Sequence, residues 1–195
     1  MMNRCRELST KRPSWPRHAR LVRPFLTLLS AGAALASCQT AEVPEQAGVV
    51  FTRESMVAEI NPAALEIWEV SNNALADTGG LDPALMDEAA WAKLQEAAQM
   101  LEFHSRRLEQ ARTLSAGGPD VVTGEVPPGV STRAEIQAKI DADPEGFREL
   151  SQLMAERARA LADAAKVRDA ARAGDLALAL DEPCQSCHQR YWYEQ

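Results

Sequence analysis

The chain has 195 residues, 46% of them hydrophobic and 25% charged, with a formal net charge of −7. That length suits one domain with a tail. The composition excludes a disordered chain and, with no apolar run near ~18 residues, a polytopic membrane protein. Residues 1–37 carry seven Lys/Arg and one acid, giving +6, whereas residues 38–195 carry 14 Lys/Arg and 27 Asp/Glu, giving −13. A domain at −13 argues against nucleic acid as a partner. Aromatics make up only 5%, and abundant Ala and Leu favour helix.

The basic segment, with Cys5 inside it, leads into an apolar stretch from Phe25 to Ala36, too short to span a bilayer but suited to the core of a signal peptide. It ends in Leu35-Ala36-Ser37-Cys38, which resembles the lipobox of bacterial lipoproteins. The resemblance implies cleavage before Cys38 and acylation of its sulfur. The other reading is an ordinary cleavage site with an incidental cysteine. Residues 1–37 are therefore expected to be a lipoprotein-type signal peptide and residues 38–50 a polar tether, with residues 51–195 as the domain. Such a protein would sit on the periplasmic side of a bacterial membrane, held by lipid.

Four helical stretches follow. In the first, apolar residues recur at Met56, Ile60, Ala63, Ala64, Ile67 and Trp68, one face of a helix. Pro62 lies off that face and should kink the helix or lengthen one turn. Asp82-Pro83 reads as the start of the second, with a stripe at Trp91, Leu94, Ala98, Leu101 and Leu108. After a Gly/Pro-rich loop, Thr132 and Glu135 form a capping-box pattern for a short helix at 131–140. Asp143-Pro144 opens the third long helix, and the fourth runs from about Asp175. Pro183 should kink that last helix or start a new one at Asp181. No strand alternation of any length is present. The expected fold is all-α, an antiparallel up-down-up-down four-helix bundle.

Cys184-Gln185-Ser186-Cys187-His188 is Cys-x-x-Cys-His, the c-type haem attachment signature. On a helix the two cysteines and the histidine share one face. The thiols can then add to the two haem vinyls, with His188 facing the iron as proximal ligand. A structural zinc site needs four ligands, and outside the motif residues 38–195 offer only His104 and carboxylates. A thioredoxin-type pair would need a βαβ context, and a plain disulfide would leave the histidine unused. One covalent haem c is expected, and export fits it, because covalent haem is added outside the cytoplasm.

A haem motif close to the C-terminus, on the last of four helices, resembles the class II c-type cytochromes, cytochrome c′ and its low-spin relatives. The likeness runs from about Phe51 to Glu194. Met56, Pro62-Ala63-Ala64, Trp68 and Tyr191-Trp192-Tyr193 resemble one branch of that group. Cytochrome c′ proper usually carries a basic residue where Trp192 stands. The resemblance also implies homodimers through the first two helices.

For the second axial position, up-down topology puts the start of the first helix beside the end of the fourth. Met56 is at that end and on the core stripe, and both topology and resemblance favour it. Met86 falls at the opposite end. Met100 and His104 lie late on the second helix, and Met154 lies about two turns into the third. The alternatives are a core Met56 with an open sixth site, or His104 as ligand. Arg53 and Arg106 would be propionate partners or solvated surface charges. These residues fit an electron carrier rather than an enzyme, with redox partners that present a basic docking surface. The competing function is a five-coordinate binder or sensor of a diatomic gas.

Overall fold

The computed structural model describes residues 48–77, 79–119 and 127–194, all within one unit spanning 42–195. The signal-peptide reading, Cys5, Cys38 and most of the tether lie outside the described residues. The first element, β1 (Val49–Phe51), begins inside the stretch read as tether. It pairs in parallel with β2 (Thr113–Ser115), in register Val49↔Thr113. Three residues are too few for a period-two pattern to register, which is why the sequence gives no sign of this pair.

The first long helix is α1 (Thr52–Ser55), a π-helical turn (Met56–Ile60) and α2 (Asn61–Asn73) in one run. The widened turn has a local cause. Pro62 has no N–H, and in a regular helix its ring would press on the carbonyl of Ala58. The chain instead forms an i→i−5 bond, in which Asn61 N–H donates to Met56 O. Of the two outcomes expected at Pro62, the lengthened turn is the one formed. The buried face accordingly steps by five residues, from Ser55 to Ile60, before continuing through Ala63, Ala64, Ile67 and Val70.

The second helix, α3, is Glu88–Glu109, starting later than Asp82-Pro83 suggested. Asp82 Oδ1 accepts from Ala84 N–H at 2.9 Å, so this Asp-Pro pair makes a turn. The true cap is Asp87, which accepts from Ala90 N–H at 2.7 Å. Helix α4 (Arg133–Ala142) carries the expected Thr132/Glu135 capping box, and α5 (Pro144–Lys166) is capped by Asp143. The fourth stretch starts earlier than Asp175, with α6 (Ala170–Ala179) capped by Asp169. At Leu180 it hands over to α7 (Asp181–Cys187), and a second π turn, His188–Trp192, ends it. Pro183 deprives Ala179 O of a donor, and Arg157 Nη1 supplies one.

Helices α2, α3, α5 and α6 close a ring of contacts, the most extensive being α3 on α5. Leu94, Leu101, Leu108 and Leu161 are essentially inaccessible in its core, each contributing about 1.5–3 kcal/mol by burial. Met86 is buried in this core, and Met100 is 46% exposed. Gly174 lets α6 close on the loop before α3, since a Cβ there would meet Leu81 N at 2.8 Å. Among the described residues no helix is long and apolar enough to cross a membrane.

Candidate functional site

Helix α7 presents Cys184 and Cys187 to a cavity of about 570 Å³. His188, the first residue of the π turn that follows, shares its wall. The facing walls come from Met56, Ile60, Ala64 and Trp68 on the first helix, Ser105 and Leu108 at the end of α3, and Leu150, Ser151 and Met154 early on α5. These are the helix ends that an up-down-up-down arrangement would bring together. A second trough of about 810 Å³ lies against the same wall and opens toward Arg53, Tyr191, Trp192 and Tyr193. Met56, Asn61, Cys187 and His188 border both spaces.

The chemistry of the wall is that of neutral donors. Cys184 and Cys187 are free. Burial, with the nearby Asp181 carboxylate adding to it, pushes the Cys184 thiol up to about 11. Burial and then the neighbouring Cys184 push Cys187 up to about 12. Both are therefore thiols at neutral pH. Burial also holds the His188 imidazole below its ordinary value, which keeps a nitrogen lone pair free for a metal. Trp192 and Tyr193 flank the His188 ring, at centroid distances of 6.2 and 6.1 Å.

The C-terminal segment is fastened from outside the bundle. Tyr191 is buried with its ring edge-on to Phe147, and its hydroxyl donates to Asp143 O at 2.8 Å and to Asp143 Oδ2 at 2.9 Å. Burial and then Asp143 hold that phenol well above its ordinary value. Arg190 pairs with the same carboxylate. Beyond Tyr191 the loop before α4 and α4 itself take over. Ser131 N–H donates to Trp192 O at 2.9 Å, Glu194 N–H to Gly129 O at 3.1 Å, and Lys139 Nζ to Tyr193 O at 2.6 Å.

Met56, Cys184, Cys187 and His188 thus meet at one site. His104 does not join them. It is 7% exposed on α3, and it faces an outer groove with Glu59, Lys93 and Met100. Arg106 does not line the cavity either, and it pairs with Glu109 at 2.9 Å. Arg53 borders the outer trough. Two cavity residues were named in the sequence but not assigned to the site, Met154 and Trp68. Met154 brings a second thioether to the inner wall, because two turns along α5 are still within the depth of the cavity. Trp68, which reads as a core residue, lines the cavity as well; Trp91 is the one that is buried in the core.

The wall fits a haem. It offers two unpaired thiols, a neutral imidazole, a largely apolar lining and one orphaned polar atom, Ser105 Oγ, which is buried with no hydrogen-bond partner. Among the described residues no cluster of three or more His, Cys, Asp or Glu is placed to hold a bare metal ion. No curated protein and no solved structure matches the chain. A family model described as Cytochrome C' matches residues 75–192, more than half of the sequence and including the whole Cys-x-x-Cys-His motif. The chain belongs to the cytochrome c′ family, whose members bind a single covalently attached haem c.

Proposed function

We propose that this c-type cytochrome is an electron carrier of the cell envelope, with haem joined through Cys184 and Cys187 and its iron held between His188 and Met56. The observation that carries the reading is the meeting of Met56 with Cys187 and His188 around one cavity. A bound haem would supply a one-electron ferric/ferrous couple. The chain's own residues do the rest. The thiols anchor the group, and the neutral imidazole and the thioether offer lone pairs from two different helices. Ile60, Ala64, Leu108 and Leu150 keep water from the inner face. Ligation by His188 and Met56 would raise the haem potential relative to a His/His pair and leave no open position for a ligand. Arg53, at the mouth of the outer trough, suits a propionate.

The test is the optical spectrum of the reduced holoprotein with and without CO. A low-spin spectrum with a Met–iron band and slow CO binding is expected. A five-coordinate high-spin spectrum with rapid CO binding would give the site to the second reading, a gas binder. Family membership and the apolar inner cavity favour that alternative.

The same reading takes residues 1–37 as an export leader and Cys38 as the lipid site, which puts the domain on the periplasmic side of a membrane. Labelling with a radioactive fatty acid, lost in Cys38→Ala, tests it. At −13 for residues 38–195, a redox partner with a basic face is the complementary choice. Exposed Val57, Leu65, Met100 and Phe103 on the first two long helices support self-association, which native mass measurement would detect.

A further inference from the structure

The π turn that begins at Met56 is tied to α3 by one side chain. Glu59, inside the turn, accepts from Arg107 Nη1 at 2.8 Å through Oε1. Its other oxygen, Oε2, lies 3.1 Å from Nδ1 of the buried His104, a contact whose geometry falls short of a hydrogen bond. His104 is held in place by burial and by the edge-on ring of Phe103 at 5.1 Å. Each residue of a regular helix turns the chain by about 100°. Replacing the widened turn with a regular one would therefore rotate the segment before Ile60, Met56 included, by about that angle relative to α2. The thioether would leave the cavity wall.

Pro62 removes the competing α-type bond but does not hold the turn against the bundle. Glu59 does, because its carboxylate reaches two groups on a neighbouring helix from the middle of the turn. We infer that Glu59, paired with Arg107 and lying against His104, is a positioning residue that holds the π turn on α3 and so keeps Met56 facing the haem iron. This rests on Met56 being the sixth ligand. An exposed ion pair alone contributes little to stability. The effect belongs instead to how the turn is seated, because Pro62 widens it but, among the described residues, only Glu59 ties it by a side chain to α3.

The test uses the holoprotein in wild-type, Met56→Ala, Glu59→Ala, Glu59→Gln and Glu59→Ala/Pro62→Ala forms. Alanine favours helix at both positions, so the bundle should survive, and circular dichroism and haem content check that it does. The expected result is partial loss of the Met–iron band in Glu59→Ala and full loss in the double variant. The reduction potential should fall toward that of Met56→Ala, CO binding should quicken, and exchange of the Asn61 amide should speed up. Glu59→Gln, which still accepts from Arg107, should restore most of the band. A wild-type band that Met56→Ala abolishes but Glu59→Ala retains in full, with unchanged potential and Asn61 exchange, would sink the clamp and leave Met56 as ligand. A wild type with no Met–iron band would overturn both.

Discussion

The two π turns of this cytochrome begin at the two residues proposed for the iron, Met56 and His188, yet they form for different reasons. The first is written into local chemistry. Pro62 cannot donate, and the bond from Asn61 to Met56 O takes up the slack. The second has no proline after it. Tyr193 N–H reaches back to His188 O at 2.9 Å because the chain beyond is drawn away by Gly129, Ser131 and Lys139. One ligand turn therefore depends on its own sequence plus a side-chain clamp, and the other on a loop more than 50 residues upstream. Damage to the Met56 turn should alter ligation and leave the bundle intact. Damage at the His188 end should show in stability as well.

The largest effect is expected where both roles meet. His188→Ala removes the only ligand the attachment motif itself supplies, and it should abolish the low-spin spectrum and much of the holoprotein yield. Cys184→Ala/Cys187→Ala should leave haem that separates from the denatured chain, whereas wild-type haem stays with it on a denaturing gel. Next comes Met56→Ala, with the Met–iron band lost and CO binding fast. Met154→Ala should keep the band, and if it did not, the inner-wall sulfur would be the ligand and the comparison of the two turns would fail.

Tyr191→Phe sharpens the other side. It deletes the hydroxyl bonds to Asp143 and should cost about 1.5–3 kcal/mol in denaturant unfolding, with the Met–iron band unchanged. Thr132→Ala, at the cap of the helix that holds the C-terminal strap, should cost about 1 kcal/mol. The smallest structural effect attends salt. Raising ionic strength should slow electron exchange with a basic partner by screening, with no change in the spectrum.

How much of this was legible beforehand follows from the range of each interaction. The haem motif, the capping box at Thr132 and the Asp143-Pro144 start are contiguous patterns, and each stands where it was read. Asp82-Pro83 misled because the same dipeptide chemistry serves a turn as well as a helix start, and only the following chain decides between them. Asp169 is a local cap signal for α6 that lies six residues before the start read at about Asp175. The five-residue step from Ser55 to Ile60 could have marked the widened turn, but Met56 fits the stripe at regular spacing and conceals it. Nothing local could have separated Met154 from other core methionines, or sent His104 to an outer groove.

By itself, then, the sequence determined the all-α class, the covalent attachment of one haem c, and the irregularity at Pro62. All of these rest on residues a few positions apart, whose relation the helix repeat fixes. Tertiary structure alone decided which sulfurs line the cavity, where His104 and Glu59 meet, and how the segment after His188 is held. These depend on the relative rotation of helices far apart in the chain, and on side chains from α3, α4 and α5 that no spacing rule brings together.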